Sequence, residues 1–131
     1  MKILFDTNVF VSAVLSGGGH CSEIIDHAVH EHELYTTTFI LDELKKVFRE
    51  EDFRFAEKPA GELLQFIKQF YILGQTAAIV DPICRDPNDD QILADAFTND
   101  IDIIITGDKD LLDLKNHKGI RILAPRDYWT L

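Results

Sequence analysis

The sequence predicts an α/β fold, in which helices cover both faces of a parallel sheet. Short apolar runs such as residues 2–5 and 103–106 alternate with longer segments whose apolar residues recur at helical spacing. Residues 103–105 are consecutive isoleucines, which is typical of a strand covered on both faces. With 131 residues, 46% of them hydrophobic, the chain has the size of one domain. We therefore expect a single domain, 1–131, with alternating strands and helices.

The first third of the chain predicts two strands and two helices. Residues 2–5 form a short apolar run that ends at an acid, as a first strand would. The apolar segment 9–15 then meets consecutive glycines, which predict the end of a helix. Residues 21–30 carry apolar side chains at helical spacing, and residues 34–36 are typical of a second strand.

The middle of the chain predicts two helices with a connection between them. Thr37 or Thr38 can cap the first of these helices. Its expected buried stripe is Ile40, Leu41, Leu44, Val47 and Phe48. Residues 50–55 are expected to be irregular or a short helical connection. Pro59 can open the next helix, which we expect to continue to residue 71.

The last third predicts three strands with a helix between each pair. Residues 78–80 are a weak strand candidate, and residues 88–99 have apolar positions at helical spacing. Residues 103–106 are the clearest strand. A short helix is expected at 109–116, and a last strand at 121–123.

The chain is acidic, with a formal net charge of −10 and a pI of about 4.7. This balance weakens attraction to nucleic acids and anionic membranes, and it favours cations or a basic partner protein. The apolar runs are shorter than the ~18–20 residues that a membrane span needs. Asp6 and Asn8 interrupt the apolar start, unlike a signal peptide, and two cysteines make no disulfide framework. We therefore expect a cytoplasmic protein that does not bind membranes.

Several acids are expected at the carboxyl edge of the sheet, where parallel sheets usually place their sites. Asp6 directly follows the first strand, and Asp108 follows the strand at 103–106. Glu43 lies in the second turn of a helix that starts at the same edge. Because its helical neighbours belong to the apolar stripe, Glu43 is expected to point toward the sheet. Asp100 precedes its strand and is expected at the opposite edge.

The segment DPNDDQ concentrates three acids at a predicted helix start. Asp86 can be the N-cap, Pro87 fits the first turn, and Asp89 favours the positive end of the helix dipole. Asp90 is not required for capping, and we expect the helix to turn it toward the edge that holds the first acid. Asp90 is therefore the predicted functional acid of this segment, with Asp89 as the alternative.

Carboxylates from distant parts of the chain are thus expected to converge. They are Asp6, Glu43, Asp90 and Asp108, with Asp110 as a further candidate. At ~4 Å and an effective dielectric constant of ~20, each pair of like charges costs about 4 kcal/mol. A hard divalent cation removes this repulsion, since Mg²⁺ or Mn²⁺ takes oxygen ligands and keeps water molecules that can attack a phosphodiester. Convergence would therefore predict metal-dependent phosphoryl chemistry.

Four motifs make the chain resemble the PIN-domain family along essentially its whole length. They are FDTNVFVSA near the start, LDELKKV in the middle, and DPNDDQILADA and IIITGDKDLL near the end. Their order and spacing are similar to those of the VapC-like branch, which is described as the toxin component of toxin–antitoxin systems. The resemblance implies a three-layer α/β/α fold with a five-stranded parallel sheet.

The resemblance also implies which residues form the site. The acids that match the family's acidic positions, and that we expect to be catalytic and to bind metal, are Asp6, Glu43, Asp90 and Asp108. Asp110 matches an additional acid of some members and is a further expected metal ligand. Asn8 matches the polar residue after the first acid, and Thr106 precedes the last acid as in the family. We expect both, together with Asp89, to support the carboxylates or a water molecule.

The activity that the resemblance implies is that of a Mg²⁺- or Mn²⁺-dependent endoribonuclease. Such a hydrolase cleaves RNA phosphodiesters with a metal-activated water. The resemblance further implies the toxin of a toxin–antitoxin pair, with an antitoxin protein as partner and a homodimer as the assembly. The acidic charge departs from this expectation for an RNA-binding protein. Basic residues that are candidates for lining a groove are Lys45, Lys46, Arg49, Arg85 and Lys109.

Other classes of function stay open, among them a receiver-type phospho-Asp switch, although the paired acids that it needs at the first strand are missing. FDTN vaguely resembles the start of haloacid-dehalogenase-type phosphatases, in which Asp6 would be a covalent nucleophile, although the second acid of that motif is Asn8 here. The chain could also be a non-catalytic interaction module whose acids bind a basic tail or a structural ion. The histidines near Cys21 lack the spacing of a zinc site, and we expect them at the surface.

Overall fold

A computed structural model describes residues 1–79 and 81–131. Its strands are β1 (Lys2–Phe5), β2 (Glu33–Thr37), β3 (Ile72–Gly74), β4 (Ile103–Ile105), β5 (Asn116–His117) and β6 (Ile120–Leu123). Its helices are α1 (Thr7–Ser16), α2 (His20–Glu31), α3 (Thr38–Phe48), α4 (Glu57–Phe70), α5 (Pro87–Thr98) and α6 (Lys109–Leu114). Short 3-10 helices span Glu51–Ala56 and Pro125–Thr130.

All six strands form one sheet, in the order β3-β2-β1-β4-β6-β5. Five of them run parallel, as predicted, and the short β5 adds an antiparallel edge to β6. From β1 the chain winds outward through β2 and β3, then returns to β4 and continues to β6 on the other side. Because crossovers between parallel strands are right-handed, α1 to α4 cover one face and α5 and α6 the other. These are the three expected layers, and the strand order reverses between β1 and β4.

The two central strands are buried on both faces. In β1 the side chains of Ile3, Leu4 and Phe5 are at most 1% exposed, and the isoleucines of β4 are fully buried. This burial explains why both segments are continuous apolar runs. Directly after them come Asp6 and Thr106, which are polar and yet buried. Buried polar groups therefore appear at the carboxyl ends of β1 and β4.

The strand expected at 78–80 is wrong for its first two residues. Ala78 and Ile79 lie in irregular chain, while Val80 lies outside the described residues. The third strand is instead β3, which pairs with β2 through Tyr35 and Ile72. Ile72 and Leu73 continue the apolar pattern of α4, so the sequence alone does not separate this strand from the helix. The predicted helix accordingly ran to Tyr71, one residue beyond the end of α4 at Phe70.

Within residues 1–79 and 81–131, no helix is both long enough and apolar enough to span a membrane.

Candidate active site

Two acids lie where the strand order reverses, the place at which open α/β sheets bind their ligands. Asp6 follows β1 and is the N-cap of α1, whereas Asp108 follows β4 and is the N-cap of α6. The Asp6 carboxylate accepts the Thr7 N–H at 2.7 Å, and the Asp108 carboxylate accepts the Asp110 N–H at 2.9 Å. Each acid therefore has one oxygen held by the first turn of a helix.

Thr106 and Asn8 hold the other oxygen of Asp6. The Thr106 hydroxyl donates to Asp6 Oδ2 at 2.8 Å, and the Asn8 amide donates to the same atom at 3.1 Å. Thr106 Oγ1 also accepts the Asp108 N–H at 3.0 Å, and Asn8 Oδ1 accepts the Gly107 N–H at 2.8 Å. Burial raises the pKa of Asp6, although these hydrogen bonds oppose the effect. The two residues expected to support the carboxylates therefore connect Asp6 to the loop before Asp108.

The first turn of α5 brings a third acid to this edge. Asp86 caps the helix by accepting the Asn88 N–H at 2.9 Å, and Pro87 is its first residue, as predicted. Asp89 is only 5% exposed and lines the same cavity as Asp108. Burial, followed by the neighbouring Asp108 carboxyl, raises the pKa of Asp89 to about 7. Asp89 therefore faces a second acid in a place with little water.

Three of these acids are arranged so that they can hold one cation. One carboxylate oxygen from each of Asp89, Asp108 and Asp110 lies within 4.8 Å of the other two. Asp89 Oδ2 is buried and has no hydrogen-bond partner among the described residues. Carboxylate oxygens are the ligands that Mg²⁺ and Mn²⁺ prefer. The donor set fits a hard divalent cation, which would satisfy the Asp89 oxygen and offset the repulsion between the acids.

Asp90 does not join this group, and the expectation that it faces Asp6 is wrong. Its Oδ1 atom accepts the N–H groups of Ile83 and Cys84 at 2.9 and 3.0 Å. Burial alone would raise the pKa of Asp90, but these bonds and the Cys84 thiol outweigh burial and hold the pKa below its ordinary value. Asp90 therefore anchors the segment before α5, and Asp89 lies where we expected Asp90.

The rotation of α5 about its axis explains why Asp89, and not Asp90, reaches the other acids. One step along an α-helix turns the side chain by about 100°. Asp89 shares a face with Ile92, which lines the acidic cavity, whereas Asp90 shares a face with Leu93 and Ala94, which line a separate pocket. Because each acid has apolar neighbours on its own face, the sequence does not show which face meets the carboxyl edge.

Glu43 approaches the acids from α3. It is partly buried and lines the cavity that Asp6, Asp89 and Asp108 also line, which has a volume of about 700 Å³. Glu43 is outside the group of acids whose oxygens lie within 4.8 Å of one another. The structure therefore brings Glu43 to the cavity, as expected, but not into the group of three acids.

A cation of the protein itself contacts this group. The Arg85 guanidinium donates from Nη2 to Asp110 Oδ1 at 2.6 Å, and its side chain is 86% exposed. Arg85 directly follows Cys84, whose N–H is held by Asp90. It was one of the basic candidates in the sequence, but its pairing with Asp110 depends on the path of this segment and was not predicted.

The cavity also has an apolar lining that the sequence did not assign to a site. The residues that form it are Val11, Leu15, Phe39, Val47 and Ile92. In the sequence they have the spacing of residues that pack helices against a core. Only the packing of three different helices around the acids shows that these side chains share a cavity with them.

Comparison with known proteins agrees with this architecture. Residues 2–110 match the family described as the PIN domain. An uncharacterized protein of Methanocaldococcus jannaschii, MJ1680, is 31% identical over 142 aligned positions, which cover 98% of this chain and 89% of the relative.

Two crystal structures share the fold. One is VapBC2 from Rickettsia felis bound to a DNA fragment from its promoter, with a TM-score of 0.67 and 12% identity over 95% of this chain and 98% of that one. The other is DNA-bound VapBC from Salmonella typhimurium, with a TM-score of 0.64 and 14% identity at the same coverage. The family match includes β1, β4 and every acid from Asp6 to Asp110 described above. The chain therefore belongs to the PIN-domain family.

Proposed function

We propose that this protein is a divalent-cation-dependent ribonuclease whose site is built from Asp6, Glu43, Asp89, Asp108 and Asp110. The observation that supports this proposal most strongly is the group of three carboxylate oxygens within 4.8 Å of one another. The acids that carry them lie where the strand order reverses, and the Oδ2 atom of one of these acids, Asp89, has no partner among the described residues. Mg²⁺ and Mn²⁺ are the cations that such a donor set suits.

The chemistry of this site divides between the cation and the chain. A bound divalent cation supplies Lewis acidity, which lowers the pKa of water and stabilises charge on phosphate oxygens. Thr106 and Asn8 hold the Asp6 carboxylate in one orientation, so that little reorganisation is needed during the reaction. Glu43 lines the same cavity, and in this proposal it is the general base that accepts a proton from a water molecule. Asp90 has no chemical step in this scheme and instead positions the segment before α5.

Cleavage of single-stranded RNA tests the proposal. We expect cleavage with Mn²⁺, none with EDTA, and a loss of about 100-fold in Asp108→Asn, the size usual for a lost electrostatic contribution to a transition state. Asp100→Asn is the matched control, since Asp100 is exposed at the opposite edge and has a φ of 54°, which asparagine tolerates. Cleavage that survives both EDTA and Asp108→Asn would contradict a metal-dependent nuclease.

We infer further that the protein acts in the cytoplasm as a homodimeric toxin with an antitoxin-like partner. The VapBC complexes that share this fold support a protein partner. The net charge of −10 favours a basic one. Co-expression with the neighbouring genes, followed by purification and light scattering, tests this assembly. A second polypeptide in fixed ratio is expected, whereas a lone monomer would contradict both the partner and the homodimer.

Related assays distinguish the ribonuclease from the two alternatives, a phosphatase and a non-catalytic interaction module. Both carboxylate oxygens of Asp6 accept hydrogen bonds, which disfavours its use as a phosphatase nucleophile. If Asp6 nevertheless acts in this way, an acyl-phosphate mimic such as beryllofluoride should bind to it. A protein that binds Mn²⁺ but cleaves no RNA would instead be an interaction module.

A further inference from the structure

The cavity that contains the acids is lined by apolar as well as polar side chains. We define the apolar wall as Val11, Leu15, Phe39, Val47 and Ile92. These residues come from α1, α3 and α5, and Leu15 is 50% exposed. Cation binding does not require such a wall, because its ligands are all carboxylates. At about 700 Å³ the cavity is also far larger than an ion needs and is in the size range of small-molecule sites.

The cavity has few positive charges with which to bind the phosphates of RNA. The chain has a net charge of −10. Among the residues described as lining the cavity, none is a lysine or an arginine. Proteins that bind nucleic acid mainly through its phosphates rely on such residues and lose affinity steeply with salt. Apart from a bound cation at the acids, the residues of this cavity therefore offer contacts mainly to other parts of the nucleotide.

We propose that the apolar wall binds one unstacked nucleobase beside the phosphodiester at the acids, with Phe39 as the stacking residue. This inference rests on the proposed ribonuclease function and adds to it a base-binding subsite with a named stacking residue. Phe39 is the aromatic residue of the described lining, and every nucleobase has a face that stacks on an aromatic ring. Ser12 and Asn88 add a hydroxyl and an amide to the same lining, where they can contact the edge of the base.

The continuity of the cavity favours a base over a segment of a partner protein. The wall and the carboxylates line one space. Within a nucleotide the base is covalently joined to its phosphate, so a phosphate held at the acids brings a base to the adjoining wall. A protein segment on the wall would have to be placed by contacts elsewhere.

Cleavage kinetics on single-stranded RNA with Mn²⁺ test the subsite. Phe39→Leu keeps an apolar side chain but removes the ring, and we expect it to raise KM by about 5- to 100-fold. The kcat value should change much less, because stacking is equal in the ground and transition states. Phe39→Tyr should restore KM. The matched control is Phe97→Leu, which changes a 54% exposed ring that lines a different pocket.

Leu15→Ala provides a second variant with little risk to folding, since this side chain is half exposed, and it should raise KM in the same direction. Melting temperatures verify that all variants are folded. The affinity of the wild type should also depend weakly on salt, with few phosphate contacts to lose.

RNA oligonucleotides with one abasic site, placed at each position in turn, identify the base. At one position the abasic site should raise KM for the wild type by the same factor as Phe39→Leu, and the two changes should not add. Unchanged KM in Phe39→Leu, or additive effects at every position, would overturn the subsite and leave the nuclease intact. Weaker binding of a co-purified protein with KM unchanged would overturn it too, by assigning the wall to that partner. Absence of any cleavage by the wild type would overturn both proposals.

Discussion

Two neighbouring aspartates of α5 lie in opposite surroundings. Asp90 accepts two N–H groups, from Ile83 and Cys84, and its pKa lies below the ordinary value. Asp89, one residue earlier, faces Asp108, and its pKa is raised to about 7. Each is 5% exposed, so the extent of burial does not explain the difference.

The difference lies in what surrounds each buried carboxylate. Burial favours the neutral form of both acids, but N–H dipoles outweigh it at Asp90, whereas at Asp89 a second carboxyl adds to it. The Asp90 carboxylate is stabilised by groups of the protein itself, and its hydrogen bonds hold the segment before α5. The pair of Asp89 and Asp108 carboxylates becomes favourable when a cation binds between them. We therefore assign cation binding to Asp89 and anchoring of the segment before α5 to Asp90.

Of the variants that separate the two aspartates, those that test catalysis should show the largest difference. Asp89→Asn should lower Mn²⁺-dependent RNA cleavage by about 100-fold or more, because it removes a cation ligand that supports charge in the transition state. Asp90→Asn keeps an oxygen that can accept both N–H bonds and should retain most of the activity. Initial rates at saturating Mn²⁺ measure both variants. Equal losses in the two would remove the distinction between them.

A cation should also stabilise the fold, because it relieves repulsion that exists only in the native state. At free Mn²⁺ of 100 times its Kd, the free energy of unfolding should rise by about 2.7 kcal/mol. Asp89→Asn should gain much less, whereas Asp90→Asn should gain as much as the wild type. Urea unfolding with Mn²⁺ or with EDTA measures this gain. A wild type that Mn²⁺ does not stabilise would indicate that the acids hold no ion.

Without metal, the two aspartates should make stability depend on pH in opposite directions. The pKa of Asp89 is about 7 in the fold and 3.8 ordinarily, so the native state binds more protons between these values. Stability should therefore fall, by up to about 4 kcal/mol, as pH rises through this window. Asp90, whose pKa is lowered, contributes stability above its ordinary pKa that is lost on further acidification.

Urea unfolding in EDTA across the window from pH 4 to 7 tests the Asp89 part of this prediction. Asp89→Asn should flatten the fall with pH, and Asp90→Asn should leave it unchanged. The same slope in the wild type and in Asp89→Asn would show that Asp89 does not carry the raised pKa.

Removal of the anchor should weaken the fold by a smaller amount. Asp90→Ala leaves the N–H groups of Ile83 and Cys84 without their acceptor and should lower the free energy of unfolding by about 1–2 kcal/mol. Asp113→Ala changes an exposed acid on α6 and serves as the matched control. Equal stability of the two variants would argue against anchoring.

The smallest effect is expected at Arg85. Arg85→Gln removes a positive charge that competes for Asp110, so Mn²⁺ binding should tighten by about two- to fivefold at low salt. The effect should shrink as salt screens this exposed pair. Calorimetric titration measures it, with the exposed Arg126→Gln as control. Weaker Mn²⁺ binding in Arg85→Gln would mean that Arg85 supports the site.

The sequence predicted those parts of the site that lie directly on strand ends. Asp6 and Asp108 follow continuous apolar runs, and such runs define where a buried parallel strand ends and which edge its next residues reach. Both lie at that edge in the structure. Asn8 and Thr106 were expected there only from the resemblance to the PIN-domain family, and the hydrogen bonds of both to Asp6 bring them to the same edge.

The remaining features depend on packing between distant elements. Asp89 and Asp90 differ by one helical step, and only the packing of α5 decides which of them reaches the carboxyl edge. The strand β3 has three residues and is defined by its pairing with β2, since its apolar residues otherwise continue the pattern of α4. The same holds for Phe39, whose place beside the acids results from the packing of α3 against α1.

Calorimetric titration of Mn²⁺ into the isosteric variants Asp89→Asn and Asp90→Asn tests whether Asp89, and not its neighbour, completes the cation site. We expect Asp90→Asn to bind Mn²⁺ as the wild type does, and Asp89→Asn to bind it at least about 10-fold more weakly. Wild-type affinity in Asp89→Asn together with a loss in Asp90→Asn would contradict the account.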